Sequence, residues 1–328
     1  MRNIKTVGLL GGGVIGAGWA ARCLLNGLDV VLFDLDPQVQ AKTGAFIENA
    51  RRAYQQISPD ALPVEGTIRY AASIGEVAEA ADFIQESLPE REDLKKSVLA
   101  EACQMLAADV IIGSSTSGLL PSRLQADIKD PQRFVVGHPF NPVYLMPLVE
   151  VCGGKLTSQE TKDAAMEFYA SLGMRPLLVR KEIDGFIADR LMEALWREAL
   201  WMINDDVATA EEIDDAMRFG PGLRWSFMGT FLTYRIAGGG GGMRHFMEQF
   251  GPALKLPWTK LMDVPEMNEG LIDKIVEQSD DQAGTATIGE LEHLRDDCLI
   301  AVMQALEDKK YGAGEVLGQY RQRLKQRK

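Results

Sequence analysis

The first part of the chain alternates short apolar runs with amphipathic helical patterns. Residues 4–36, IKTVGLLGGGVIGAGWAARCLLNGLDVVLFDLD, contain one apolar run before a glycine-rich turn and a second, VVLFD, near their end. Between the two runs Ile15, Trp19 and Cys23 recur at the four-residue spacing of a helix face. The pattern therefore predicts a strand, a helix and a second strand, which is the order of a parallel β-α-β unit.

Three later segments also have the pattern of buried strands: ADFIQESLPE, DVIIGSSTSG and FVVGHPF. Each ends in polar or turn residues, and open α/β sheets bind their ligands at the carboxyl ends of parallel strands. The polar residues at these ends are Glu90, Ser114, Ser115, Thr116, Ser117 and His138. We therefore predict a doubly wound α/β sheet of the Rossmann type that carries these side chains along one edge.

Three glycines at the first strand-to-helix turn have the spacing of a dinucleotide-binding motif. Gly11, Gly13 and Gly16 form G-x-G-x-x-G, and Asp34 ends the second strand 18 residues after Gly16. The first glycine permits a sharp turn, the second lets a pyrophosphate approach the backbone, and the third lets the helix pack on the strand. Asp34 is expected to accept hydrogen bonds from the adenine ribose. Its charge opposes a 2'-phosphate, so the motif predicts NAD rather than NADP.

The pattern becomes helical from about Asp184. The segment DGFIADRLMEALWREALWMIND has apolar residues three and four positions apart, and TAEEIDDAMRF places Thr209 and Glu212 at capping-box spacing. Interruptions at the glycine run 238–242 and around Pro252 and Pro257 are expected to be loops, and the glycine run is not preceded by a strand, as a phosphate-binding loop would be. The prediction is an NAD-binding domain at 1–183 and an all-helical domain at 184–328.

Composition and charge exclude several classes of function. The 328 residues suffice for two domains, and a net charge of -12 argues against nucleic acid, which needs a basic surface. The four cysteines lack the paired spacing of metal sites or disulfide frameworks, so we expect no metal and a reducing compartment, the cytoplasm. The N-terminal apolar run is too short for a signal peptide, and no run has membrane-spanning length, so we expect no membrane association.

One histidine lies among the predicted ligand-binding residues. The segment GHPFNPVYLMPLVE places His138 twelve residues before Glu150. Histidine is the side chain best suited to proton transfer near neutral pH, and a carboxylate on one ring nitrogen fixes its tautomer and makes the other nitrogen more basic. The spacing alone leaves open a core histidine that bonds a backbone carbonyl instead.

The run GHPFNPVYLMPLVEV, with SSTSG before it and DGFIADRL after it, resembles the 3-hydroxyacyl-CoA dehydrogenase family. The resemblance implies NAD-dependent oxidation of a secondary alcohol at C3 of an acid derivative, and a homodimer formed through the helical domain. It implies His138 as general base, Glu150 as its orienting partner and Ser117 as a hydrogen-bond donor to the substrate oxygen. It also implies that Asn141 lies near the nicotinamide and that Glu90 and Lys95 line the cofactor site.

One position departs from the family pattern. Asp189 occupies the place where the family has an asparagine that orients the reacting carbonyl. An ionised carboxylate donates no hydrogen bond to a carbonyl and repels a developing alkoxide. Three interpretations stay open: Asp189 is turned away, toward Arg190; it meets a different group of the substrate; or it is a helix-start acid stabilised by the macrodipole.

The segment FGPGLRWSFMGTFLTYRIAGGGGGMRHFMEQFG resembles members of the family whose substrate is a 3-hydroxy acid with a trimethylammonium group. Such a cation has no N–H, so aromatic faces and carboxylates must hold it. The candidates are Trp225, Phe227, Phe231 and Tyr234, with Asp189 and Glu193 one helical turn apart; Arg190, Arg224 and Arg235 are candidates for the substrate carboxylate. Each aromatic residue is alternatively a core residue between helices.

Two other functions stay open. An L-gulonate 3-dehydrogenase or a short-chain 3-hydroxyacyl-CoA dehydrogenase shares the hydride chemistry but binds no cation. The segment after the second strand is short and of mixed charge, which weakens the CoA alternative, because the acyl-CoA enzymes resembled here carry a lysine-rich extension there. A non-catalytic NAD-binding protein, as some lens crystallins are, has no need of His138, Glu150 and Ser117 together.

Overall fold

A computed structural model describes residues 3–58, 62–226, 229–238, 242–250, 259, 266, 268–274 and 285–326. The backbone contacts divide the chain into two compact units, Met1–Asp189 with Asp296–Lys328, and Arg190–Arg295. The expectations for Phe227, for most of the glycine run (239–241) and for the loops at Pro252 and Pro257 lie outside the described residues.

The first unit is built on an eight-stranded sheet with the order β3-β2-β1-β4-β5-β6-β7-β8. The strands are β1 (Thr6–Leu10), β2 (Asp29–Phe33), β3 (Ile68–Tyr70), β4 (Phe83–Glu86), β5 (Ile111–Ser114), β6 (Phe134–Pro139), β7 (Leu148–Cys152) and β8 (Arg175–Val179). All neighbouring strands are parallel except β6 and β7. The strand order reverses between β1 and β4, next to the glycine turn, which is where such sheets bind dinucleotides. The predicted Rossmann-type sheet is confirmed.

Helices cover both faces of this sheet. They are α1 (Val14–Leu25), α2 (Val39–Ile57), α3 (Ile74–Ala80), α4 (Glu92–Met105), α5 (Pro121–Leu124), α6 (Gln159–Ser171), α13 (Gly312–Gln326) and the part of α12 (Ile288–Glu307) that begins at Asp296. Val7 and Leu9 of β1 pack in the core shared with α1, α2 and α6, whereas Leu10 packs in the core shared with α3 and α4. This alternation follows from the two-residue period of a strand that is buried on both faces.

The last helix joins the first unit, whereas its helical periodicity placed it in the predicted domain 184–328. Leu317 and Tyr320 of α13 are buried in the same core cluster as Trp19 and Tyr54. Tyr320 also accepts a hydrogen bond from Asn26 Nδ2 at 2.6 Å and donates one to the Tyr54 hydroxyl at 3.0 Å. Periodicity identifies a helix and its apolar face, but it does not identify the core against which that face packs.

The second unit carries most of α7 (Ala188–Asn204), followed by α8 (Ala210–Phe219), α9 (Pro221–Trp225), α10 (Thr230–Ala237) and α11 (Gly242–Phe250). The predicted capping box is confirmed, because Thr209 accepts a hydrogen bond from Glu212 N and the Glu212 side chain accepts one from Thr209 N. Within the described residues, none of the helices has both the length and the apolar character that a membrane span requires.

Candidate active site

The three glycines of the turn after β1 are required for three different reasons. Gly11 has φ +101°, which favours glycine, and a Cβ on Gly16 would lie 2.0 Å from the Gly11 carbonyl oxygen. A Cβ on Gly13 would meet no protein atom within 4 Å. The fold therefore requires Gly11 and Gly16, whereas Gly13 keeps open a space that the protein does not fill itself, as close approach of a pyrophosphate demands.

A cavity of about 730 Å³ extends from this turn. Its wall includes Gly11, Gly13, Asp34, Ser87 and Leu88. Asp34 accepts hydrogen bonds from Gly12 N at 2.6 Å and from Asp36 N at 2.7 Å. A carboxylate offers about four acceptor sites, so the fixed side chain retains capacity for two ribose hydroxyls. The residues present therefore fit a dinucleotide.

Lys95 lies in a buried ion pair next to this cavity and is not part of its wall. Its ammonium lies 2.7 Å from Glu86 Oε1 and 2.9 Å from the Leu88 carbonyl oxygen, and the lysine is 1% exposed. Glu86 Oε1 also accepts a hydrogen bond from Leu88 N at 2.5 Å. Because Leu88 lines the cavity, the pair fixes a segment of its wall.

Glu90 organises the segment that carries Ser117. Its Oε1 accepts hydrogen bonds from the Thr116 hydroxyl, from Ser117 N at 3.1 Å and from Gly118 N at 3.2 Å. The Ser117 side chain is exposed, as is that of Asn141 in the segment between β6 and β7. Glu90 therefore holds the backbone from which Ser117 projects.

His138 and Glu150 form a pair across two strands. They are directly opposite in the antiparallel register of β6 and β7, so both side chains project from the same face of the sheet. Nδ1 of His138 lies 3.1 Å from Oε2 of Glu150, and both residues are buried. The Nδ1 proton is therefore donated to the carboxylate, which leaves the Nε2 lone pair as the base. The alternative in which His138 serves only as a core residue bonded to a backbone carbonyl is not seen.

Glu150 is held ionised by several donors. Burial raises the pKa of its carboxyl group, but hydrogen bonds from His138 and from the N–H groups of Ala188 and Ile187 lower it more, so the pKa lies below its usual value of 4.5. The two N–H groups are each 2.9 Å from Oε1. They belong to the start of α7, where backbone donors lack partners within the helix and the macrodipole favours an anion. Phe186, at φ 47°, makes the turn that precedes these donors.

Asp189 also faces His138. Its Oδ2 lies 3.6 Å from His138 Nε2, the nitrogen that is left as the base. The carboxylate is therefore not turned away from the imidazole, contrary to the first of the three interpretations. His138 lies between two carboxylates, one on each ring nitrogen, and its ring also contacts Phe140 and Phe186 at centroid distances of 4.8 and 5.9 Å.

The remaining sequence-predicted residues lie in the second unit. Glu193 is exposed on α7, one turn after Asp189. Trp225 ends α9 and is half-buried. Phe231 is 81% exposed and Tyr234 is 42% exposed, and the Tyr234 ring stacks on Phe246 at 4.6 Å. Phe231 is therefore not a core residue of this unit.

Several residues of the site were not singled out from the sequence. Glu86 sits at the end of β4, where a polar residue after an apolar run was the available signal. Arg22 has no such signal: it lies on α1 among apolar residues and is buried. Its guanidinium donates to the carbonyl oxygens of Val143 at 2.6 Å, Met146 at 3.1 Å and Leu172 at 2.8 Å. It thereby fastens the segment between His138 and Glu150 to the helix that begins at the glycine turn.

Known proteins match this chain over nearly its whole length. The 3-hydroxyacyl-CoA dehydrogenase NAD binding domain matches residues 6–183, and the C-terminal domain of the same family matches residues 185–269. The L-carnitine dehydrogenase of Mesorhizobium japonicum is 56% identical over 99% of this chain and 90% of its own length. That of Pseudomonas aeruginosa is 59% identical over 94% of this chain and 96% of its own.

A solved structure gives the same result for the fold. An NAD+-dependent dismutase, 5-formyl-3-hydroxy-2-methylpyridine 4-carboxylic acid 5-dehydrogenase, superposes with a TM-score of 0.78 at 27% identity and covers 93% of this chain and 99% of its own. The predicted cofactor, NAD, is confirmed by the match to the NAD binding domain. Gly13 and Asp34, which the motif assigns to the pyrophosphate and the adenine ribose, both lie on the wall of the cavity. Sequence, fold and site agree that the chain is an NAD-dependent dehydrogenase that belongs to the 3-hydroxyacyl-CoA dehydrogenase family.

Proposed function

We propose that the protein oxidises the C3 hydroxyl of L-carnitine to give 3-dehydrocarnitine. Relatives named L-carnitine dehydrogenase are more than half identical to it over almost its whole length. The observation that carries the proposal is the position of Asp189, whose carboxylate lies 3.6 Å from the base nitrogen of His138. In carnitine the hydroxyl and the trimethylammonium group are on adjacent carbons. A carboxylate beside the base that binds the hydroxyl is therefore within reach of the cation.

His138 and Glu150 carry out the proton transfer in this proposal. The substrate hydroxyl donates its proton to Nε2 of His138 as C3 loses its hydride, and the Nδ1 proton stays on the imidazole, held by Glu150 at 3.1 Å. The ionised Glu150 stabilises the imidazolium that results. NAD, when bound, accepts the hydride. Ser117 is proposed to donate a hydrogen bond to the reacting oxygen, and Asn141 is proposed to lie near the nicotinamide. Both side chains are exposed, and they lie a few residues after the ends of β5 and β6, respectively.

The trimethylammonium group is proposed to be held by Asp189, Glu193, Trp225, Phe231 and Tyr234. A quaternary ammonium is attracted to aromatic faces and gains from nearby negative charge. The exposure of Phe231 and Tyr234 supports this role, because a ring buried in a helical core has no face to offer. Of the arginines proposed for the substrate carboxylate, Arg190, Arg224 and Arg235 are all exposed.

A homodimer and a cytoplasmic location are also part of the proposal. The start of α7 exposes Leu191, Met192, Leu195 and Trp196, an apolar face of the kind that a second subunit covers. The four cysteines are all free, as is usual in a reducing compartment. Sedimentation of the purified protein tests the dimer directly.

The substrate is tested by NADH formation with L-carnitine, D-carnitine, L-gulonate and 3-hydroxybutyryl-CoA offered separately. The proposal predicts turnover with L-carnitine and little with the others. Turnover with gulonate or the thioester instead would leave the hydride chemistry standing and remove the cation site. The variant His138→Ala is the control for the chemistry: it should bind NADH normally and lose about 100-fold or more in kcat with the true substrate.

A further inference from the structure

A chain of polar side chains connects the cofactor cavity with the strand of His138. Its members are Tyr169 of α6, Gln85 of β4, Ser115 after β5, Trp19 of α1 and Ser87 after β4. Tyr169 donates its hydroxyl proton to Gln85 Oε1 at 2.7 Å. Gln85 Nε2 donates to the Gly137 carbonyl at 3.2 Å and to Ser115 Oγ at 2.7 Å.

The direction of each hydrogen bond follows from the chemistry of the groups. The Gly137 carbonyl only accepts, so the amide of Gln85 must present its NH₂ group there, and both of its protons are then used. The indole N–H of Trp19 only donates, and it donates to Ser115 Oγ at 3.0 Å. Ser115 Oγ therefore accepts two hydrogen bonds, one from Gln85 and one from Trp19.

These two bonds fix the proton of Ser115. A hydroxyl oxygen has two lone pairs and one proton, and both lone pairs of Ser115 are occupied. Its proton must therefore go to its third neighbour, Ser87 Oγ, 2.9 Å away. Ser87 is thus an acceptor toward Ser115, and its own proton points away from Ser115. Among the described residues Ser87 Oγ has no second partner.

Ser87 borders the cavity into which its free proton can point. It is on the wall of the 730 Å³ cavity with Gly11 and Gly13, and it is only half-buried. A Cβ on Gly11 would lie 2.7 Å from the Ser87 carbonyl oxygen, and one on Gly16 would lie 3.5 Å from Ser87 Cβ, so Ser87 borders the glycine turn itself. Dinucleotides place their pyrophosphate at this turn.

We propose that Ser87 is a hydrogen-bond donor to NAD, oriented by Ser115, and that its acceptor is an oxygen of the pyrophosphate or of the ribose next to the nicotinamide. The bond from Ser115 occupies one lone pair of Ser87 Oγ and leaves its proton to give, so an oxygen of either group can accept it. The same network ends at the carbonyl of Gly137, the residue before His138, so the group that binds the cofactor and the strand that carries the base share one set of hydrogen bonds. The proposal does not depend on the identity of the hydroxy acid.

The first test measures the dissociation constant of NADH by fluorescence titration, without any hydroxy acid. Ser87→Ala should weaken NADH binding about 3- to 10-fold, the effect of one lost hydrogen bond. The matched control is Ser171→Ala, the same substitution at the end of α6, where the hydroxyl donates to the Phe168 carbonyl away from the cavity. Its dissociation constant should equal that of the wild type. An unchanged constant in Ser87→Ala overturns the proposal.

A double-variant cycle tests the orienting role of Ser115. Ser115→Ala should weaken NADH binding in the wild-type background and have no further effect once Ser87 is alanine, because Ser115 acts only through Ser87. An equal effect in both backgrounds overturns this role. Thermal unfolding of each variant checks that the protein remains folded at the titration temperature.

Two NADH fragments identify the acceptor. ADP contains the pyrophosphate but no second ribose, whereas ADP-ribose contains both. If Ser87→Ala weakens ADP and ADP-ribose alike, the acceptor is the pyrophosphate, and if it weakens only ADP-ribose, the acceptor is the ribose. If both fragments bind the variant as well as they bind the wild type, neither oxygen is the acceptor and the proposal is wrong.

Discussion

His138 and Glu150 lie directly opposite each other on the only antiparallel pair of strands in the described sheet, and His138 Nδ1 is 3.1 Å from Glu150 Oε2. The carboxylate is held in turn by the first N–H groups of α7. The first N–H groups of α7, the Glu150 carboxylate and the His138 imidazole are thus connected by consecutive hydrogen bonds. The arrangement sets the tautomer of His138 and keeps Glu150 charged, and the first prediction follows from it.

Glu150→Gln should lower kcat about 10- to 100-fold, because a neutral amide holds the ring without stabilising the imidazolium. NADH affinity, measured by titration, should not change, since Glu150 is not on the wall of the cofactor cavity. A kcat within twofold of the wild type would contradict the role given to Glu150.

The same variant should change how stability depends on pH. The pKa of Glu150 is lowered in the folded protein, from a usual value of 4.5. Its stabilising effect is therefore complete above about pH 4.5 and is lost as the pH falls through the folded-state pKa. The free energy of unfolding should favour the wild type over Glu150→Gln at neutral pH, and the difference should shrink below about pH 4.5. A difference that stays constant down to pH 3 or so would contradict this assignment.

Asp189→Asn should raise the KM for L-carnitine about tenfold or more, because a tenfold change corresponds to about 1.4 kcal/mol of lost attraction to the cation. The KM for 3-hydroxybutyrate, a 3-hydroxy acid without the cation, should not rise. The matched control is Asp184→Asn, an exposed aspartate five residues earlier. Equal KM changes for the charged and uncharged substrates would remove the role of Asp189 in recognising the cation.

Substitutions at two glycines of the turn after β1 should distinguish an effect on cofactor binding from an effect on stability. Gly13→Ala places its Cβ where no protein atom lies within 4 Å, so the melting temperature without cofactor should stay close to that of the wild type while NADH binding weakens. Gly16→Ala places its Cβ 2.0 Å from the Gly11 carbonyl oxygen, so it should lower the melting temperature as well. Calorimetry of both variants with and without NADH checks the contrast, and equal loss of stability would contradict it.

Two adjacent lysines should differ widely in their contribution to stability. Lys95→Met leaves Glu86 buried without its cation and should cost about 3–5 kcal/mol of unfolding free energy. Lys96→Met removes a half-buried pair with Glu92, which keeps its ion pair with Arg123, and should cost less than about 1 kcal/mol. Denaturant titration measures both. The double variant Glu86→Gln, Lys95→Met should recover part of the loss, and no recovery would contradict the pairing.

The parts of the fold that depend on local pattern were predictable from the sequence. The apolar runs gave β4, β5 and β6, and the glycine spacing with Asp34 gave the cofactor, because each rests on residues close together in the chain. The packing of α13 on α1 and α2 was not predictable, since Tyr320 and Asn26 are far apart in sequence. Helical periodicity carries no information about such a partner.

The candidate site was predictable in part. His138 and Glu150 were found as a candidate pair, although spacing alone did not distinguish it from a core histidine. The antiparallel register of β6 and β7, which makes them neighbours, appears only in the structure. Arg22 and Ser87 were missed, and Ser115 was identified only as a polar residue at a strand end, because their roles depend on hydrogen bonds between segments that are distant in sequence.

The central claim, that the base at His138 serves oxidation at C3 of L-carnitine, is tested most directly with L-carnitine that carries deuterium at C3. We expect the deuterium to appear in the NADH formed, in equal amount to the 3-dehydrocarnitine, and we expect His138→Ala to slow the formation of both products about 100-fold or more while still binding NADH. Unlabelled NADH, or no NADH at all from the wild-type protein with this substrate, would contradict it.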